Sequence, residues 1–146
     1  MSFDKKQFKD LIVRVLSDHA ELLSDSAVNL LLGTAAQESQ FGRYLKQVGG
    51  GPALSVFQME PETFEWLRAT YFDVYPEIST RHPGELEWDL RLSILFARLR
   101  YRVVPSPLPD ANDIPALAKY WNVHYNGNPD HGTDEEFIEN YHRFVE

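Results

Sequence analysis

The chain has 146 residues, a formal net charge of −8, 43% hydrophobic and 13% aromatic residues, and no cysteine. A chain of this size buries roughly 70% of its unfolded surface, which suits one core and argues against disorder, so a single domain over residues 1–146 is expected. The missing cysteines exclude disulfides and thiolate metal sites, and an acidic chain without a basic block argues against nucleic-acid binding.

The chain begins "MSFDKKQFKDLIVRVL", which has neither a long apolar core nor a small-residue cleavage site, so no signal peptide is read here. In this first segment Phe8, Leu11, Ile12, Val15, Leu16 and Leu22 recur at helical spacing. "LLSDS" breaks the pattern, and Ser24 or Asp25 can cap a second helix from about Ala27 towards Ser39. Its run "AVNLLLGTAA" is too short to span a bilayer, so no membrane insertion is expected. "FGRYLKQVGGGPALS" reads as a loop with room for a short strand. "EPETFEWLRATYF" starts a third helix, with Pro61 near its first position. After the loop "YPEISTRHPGE" comes a fourth helix with Trp88, Leu92, Leu95, Phe96 and Leu99 on one face. "VVPSPLPDAND" is a surface loop, "DIPALAKYWNVHY" a fifth helix and "NGNPDHG" a turn. Thr133 and Glu136 form a capping-box pattern before a last helix carrying Phe137, Tyr141 and Phe144. The fold class expected is mostly α, with no substantial sheet.

One acid stands out. Glu38 lies four residues after Thr34 and seven after Leu31, on the apolar stripe of the second helix, and the next carboxylate is Glu60. A carboxyl on that face loses water, and a helix C-terminus disfavours negative charge; both raise its pKa towards the range useful for a general acid. The plainer alternative is a helix-end glutamate turned to water beside polar Gln37 and Ser39.

Gln58, in "LSVFQMEP", either fixes a loop or reads a ligand. Asn126 sits in an Asn-Gly pair that commonly makes a turn. Tyr44, Phe57, Tyr120 and Trp121 can stack on sugars or fill the core. The glycine-rich "QVGGGPAL" is a mobile flap or a tight connection. Glu60 and Glu62 fit the first turn of the third helix, where negative charge is favoured. The five histidines show no ligand spacing, so no metal and no cofactor are expected.

Three ordered pieces together resemble the lytic transglycosylase family, related to goose-type lysozymes. "ESQF" resembles its E-S-x-F motif, "PALSVFQMEPETF" its G-A-x-G-L-M-Q-x-x-P-x-T-A segment, and "HYNGNP" its A-Y-N-A-G-x motif. The resemblance runs from about Leu30 to Phe144. It implies a lysozyme-like fold with a substrate cleft, and cleavage of the β-1,4 bond between N-acetylmuramic acid and N-acetylglucosamine in peptidoglycan. It makes Glu38 the sole catalytic acid/base. Ser39 would touch the sugar or orient the acid, Gln58 would line the cleft, Tyr125 would hydrogen-bond Glu38, and Asn126 would shape the floor or contact the sugar. The implied nucleophile is the muramic C6 hydroxyl, giving a 1,6-anhydro product, so no second carboxylate is required, unlike ordinary glycosidases. Departures are Ser55 where the family has glycine, and Gly127 and Asn128 where it has Ala-Gly.

A chain at −8 would not be steered to anionic cell walls by long-range attraction. Delivery by a larger machine removes that need, and the expected setting is synthesis in the cytoplasm followed by action as part of a phage virion or tail assembly, or after release by lysis; export of a bacterial protein by another route stays open. Two rivals remain. A muramidase that hydrolyses the same bond with water would need Glu60, Asp73 or another acid opposite Glu38. A non-catalytic structural module would have a blocked cleft, or Glu38 locked to an arginine.

Overall fold

The computed structural model describes residues 2–127 and 129–146. Among these residues six α-helices follow one another: α1 Lys5–Leu16, α2 Asp25–Ser39, α3 Pro61–Tyr71, α4 Leu90–Arg102, α5 Ile114–His124 and α6 Asp134–Phe144. Short 3-10 turns at Ala20–Leu22, Pro76–Ile78, Pro83–Glu87 and Pro129–His131 connect them. Among the described residues there is no strand, only isolated bridges pairing Lys46 with Leu54 and Leu54 with Met59.

Local chemistry sets the starts. Asp4, Ser24, Asp89, Asp113 and Thr133 each accept a hydrogen bond from the backbone N–H three residues on, satisfying a donor that the helix leaves orphaned. Pro61 opens α3, where its missing N–H costs nothing. Two expectations shift. The first helix stops at Leu16, and Leu22 reaches the core from its own 3-10 turn, its carbonyl accepting from Arg98 Nε at 2.7 Å. Trp88 is not on the inner face of α4; it follows the 3-10 turn before that helix and is 72% exposed.

α2 is buried on nearly every side, from Ala27 and Val28 through Leu30–Ala36 to Ser39. A helix apolar all round belongs in the middle of a core, and α1, α4, α5 and α6 pack around it. α6 comes closest at Gly33, where an added Cβ would lie 2.3 Å from Phe137 Cζ and 3.0 Å from Tyr141 Cδ2. Phe137 in turn packs beside Trp121, ring centroids 5.5 Å apart, so α2, α5 and α6 share one aromatic seam. This central helix delivers its last turn, with Glu38, to the surface of the core.

The chain leaves α2 by a sharp reversal. Gln40 and Phe41 take positive φ, at 50° and 62°, and Phe41 turns back into the core edge-on to Phe8. Across from them Ser55 and Gln58 also have positive φ, at 77° and 49°. Among the described residues these are the four non-glycine positions so placed, and all of them follow Glu38 in the chain between α2 and α3. Backbone held in that region costs free energy and clusters where a surface must have one particular shape.

Candidate active site

The last turn of α2 opens into a cleft of about 620 Å³. One wall is the reversal after α2 and the loop to α3, including Tyr44, Gln47, Val48, Gln58 and Glu60. The other wall is the turn after α5 and the first two turns of α6, with Asn126, His131, Glu136 and Asn140. Glu38, Arg100 and Tyr125 lie between them.

Glu38 shows only a minor part of itself to the cleft. Trp121, fully buried on α5, donates Nε1–H to Glu38 Oε2 at 3.0 Å. Among the described residues Oε1 has no hydrogen-bond partner, and no side-chain oxygen or nitrogen there is both buried and unpaired, so Oε1 is the oxygen a ligand can reach. Burial lifts the carboxyl from its ordinary 4.5 to about 7, and the indole hydrogen bond works in the opposite direction without cancelling it. Near neutral pH the group is therefore divided between acid and base, as proton transfer in both directions demands.

Ser39 does not reach the cleft. It is fully buried, its hydroxyl donates to Val56 O at 2.6 Å and accepts from Gly42 N at 2.9 Å, and so it ties the end of α2 to both flanking loops. Tyr125 lines the cleft, but its hydroxyl donates to Phe57 O at 2.7 Å and not to Glu38; the hydrogen bond expected from it comes from Trp121. Burial and then the nearby Glu38 charge hold the Tyr125 phenol well above its usual range, so it stays a neutral donor. Its ring stacks on Tyr101 at 5.2 Å, and Tyr101 shares a 2.7 Å hydrogen bond with Thr34, fixing the floor from beneath.

Gln58 both fixes a loop and faces the cleft. Its Nε2 donates to Ser55 O at 2.8 Å, closing the turn that its own left-handed backbone makes. Ser55 stands where the resembled motif has glycine, and it adopts a φ of 77° that glycine would take more readily. Asn126 likewise serves a turn while lining the cleft: its amide donates to Asn122 Oδ1 at 3.0 Å and to Gly132 O at 3.3 Å. Asn128 lies outside the described residues.

The "QVGGGPAL" segment is tied as a tight connection. Gln47 N donates to Ala53 O, and Gln47 Oε1 accepts from Ala53 N, both at 3.0 Å. Of the four aromatic candidates, Phe57, Tyr120 and Trp121 are core, and Tyr44 remains in the cleft wall. Among the described residues no three histidine or carboxylate side chains come together as a metal-ligand group, and no helix is long and apolar enough to cross a membrane.

The cleft holds further charged residues. Glu60 and Glu136 line its rim as exposed carboxylates, whereas Asp73 lies elsewhere. Arg100 enters from the last turn of α4. No known protein family matches the chain, and neither does any curated protein or solved structure.

Proposed function

We propose that this chain is a lytic transglycosylase of lysozyme-like fold, cleaving the β-1,4 bond between N-acetylmuramic acid and N-acetylglucosamine in peptidoglycan, with Glu38 as its single acid/base. The observation that carries the reading is a carboxyl poised at about 7 by burial, with one oxygen held by an indole and the other open to a cleft. The sequence resemblance around "ESQF", Gln58 and "YN" supplies the reaction class.

In the first step the protonated Glu38 carboxyl gives its proton to the glycosidic oxygen as the bond to the anomeric carbon breaks. In the second the muramic C6 hydroxyl adds to that carbon, and the Glu38 carboxylate takes the hydroxyl proton. The acid is regenerated and the product is the 1,6-anhydro sugar. Gln58 and Asn126 line the cleft along which the sugar would lie. No cofactor or metal enters these steps. Peptidoglycan strands are the partner, and a phage virion or tail assembly is the setting we favour for an acidic chain of this kind.

Hydrolysis on the same scaffold is the second reading, because Glu60 and Glu136 are cleft carboxylates that could orient a water. A non-catalytic role is disfavoured by the open cleft and by the partner of Glu38 being Trp121 rather than an arginine. Mass spectrometry of soluble products from purified peptidoglycan separates the three. Anhydro-muramyl products are expected; reducing ends instead would establish the muramidase, and no products from folded protein would leave the inert module.

A further inference from the structure

On the glycan reading of the cleft, Arg100 is a lining residue that the proposed reaction leaves without a role. Arg100 lines the cleft together with Glu38 and Tyr125 and is half-buried. The comparable arginines are all engaged. Arg68 pairs with Glu65, Arg81 with Glu85 and Asp89, and the buried Arg98 donates to Leu22 O. Arg100 has no ion pair and no hydrogen bond among the described residues, although the chain carries 22 acidic residues against 14 basic ones. Its charge is nevertheless felt inside the site, where it opposes the upward push on the Tyr125 and Tyr101 phenols.

A place in the last turn of α4 suits any cation, but Arg102 is in that turn too and reaches Glu21 O at 3.5 Å. Helix-end electrostatics therefore do not account for a second guanidinium turned into the cleft. A half-desolvated guanidinium with its fork of donors vacant is matched by a carboxylate, which it can hold through two parallel hydrogen bonds. The exposed Glu60 and Glu136 on the rim disfavour anions beside them.

We propose that Arg100 is the anchor for a carboxylate of the muramyl portion of the glycan, making the cleft selective for carboxylate-bearing strands over neutral ones. Two sources carry that chemistry: the lactyl carboxyl of a peptide-free muramic sugar, and the carboxyls of an attached peptide stem. Arg100 is thus a specificity residue and takes no part in proton transfer.

The test is calorimetric binding in the Glu38→Gln background, which prevents turnover. The probes are a peptide-free alternating glucosamine–muramic tetrasaccharide, the same tetrasaccharide bearing stems, and neutral chitotetraose. Arg100→Met should weaken one or both carboxylate-bearing probes by roughly 10- to 100-fold, the range of a charged hydrogen-bonded pair, and leave chitotetraose unchanged. Loss confined to the stem-bearing probe assigns the stem carboxyls, loss confined to the peptide-free probe assigns the lactyl group, which is an amide once a stem is attached, and loss on both assigns an anchor that takes either carboxylate. Arg100→Lys should recover part of the affinity, since it restores the charge without the fork. Equal loss on all three probes, or on none, overturns the assignment of Arg100. If the Glu38→Gln protein binds neither glycan class with Arg100 intact, the glycan reading itself falls and takes this inference with it.

Discussion

Glu38→Gln is expected to remove cleavage, by a factor of at least about 10³ given what a positioned acid contributes, and at the same time to make the fold more stable at alkaline pH. The two effects have one cause. Glutamine keeps the shape and an oxygen for the Trp121 N–H, but it cannot carry a proton to the leaving group. Nor can it become a buried anion. The carboxyl has an ordinary pKa of 4.5 and a folded value of about 7, so over that interval the folded state binds the proton that the unfolded chain releases. Stability contributed by the protonated group is complete below pH 4.5, falls as pH rises to about 7, and changes no further above it. The loss is on the order of 3 kcal/mol, and the glutamine variant escapes it. Thermal unfolding at pH 5 and pH 8 should show wild type melting well below the variant at pH 8, roughly 5–10 °C, with a smaller gap at pH 5. Parallel curves at both pH values would mean that Glu38 titrates like an exposed acid. Cleavage by wild type should fall above about pH 7, where the acid form of Glu38 is depleted.

The second large effect belongs to Gly33. An ordinary side chain there meets Phe137 at 2.3 Å, a distance at which one helix must move. Valine, with two further methyls, is expected to destabilise the protein by about 3 kcal/mol, the upper part of the overpacking range. Urea unfolding reads the change directly. Gly84→Val serves as the control, since nothing lies within 4 Å of a Cβ built there, and it should stay within about 0.5 kcal/mol. An unchanged midpoint for Gly33→Val would show that α6 is free to shift. The cost reaches the cleft, because α6 supplies Glu136 and Asn140 to its wall, and Asn140 Nδ2 is bonded to Gln37 Oε1 at 2.7 Å on α2.

Helical spacing made all six helices legible, and capping chemistry made several of their starts legible, because both are local properties. Ser24 and Thr133 do cap, and Thr133 accepts from the backbone of Glu136 as the motif requires. Glu38 was legible for the same reason: its place on a buried helix follows from counting residues. What spacing could not supply was the partner of Glu38. Trp121 is 83 positions away, and an apolar helix with a tryptophan reads as core, which it also is. Tyr125 was expected in that role, but its ring is turned beneath the floor by Tyr101, which points its hydroxyl to Phe57. Ser39 is polar and next to the acid, but one residue along a central helix is a turn of about 100°, and that takes it into protein rather than cleft. Trp88 misled through composition alone; the 3-10 turn at Pro83–Glu87 ends before it and leaves the ring in solvent. Arg100 carries no local signal, because its significance lies in lacking a partner.

The indole that holds Glu38 is also a chromophore. Trp66 and Trp88 are 51% and 72% exposed, whereas Trp121 is sealed from solvent. A water-borne quencher such as iodide therefore extinguishes the first two and spares the third. The emission that survives comes from a ring hydrogen-bonded to the Glu38 carboxyl, and it should change as that carboxyl gains or loses its proton, with a midpoint of about 7. The protein thus carries its own optical titration of Glu38, readable without any glycan present.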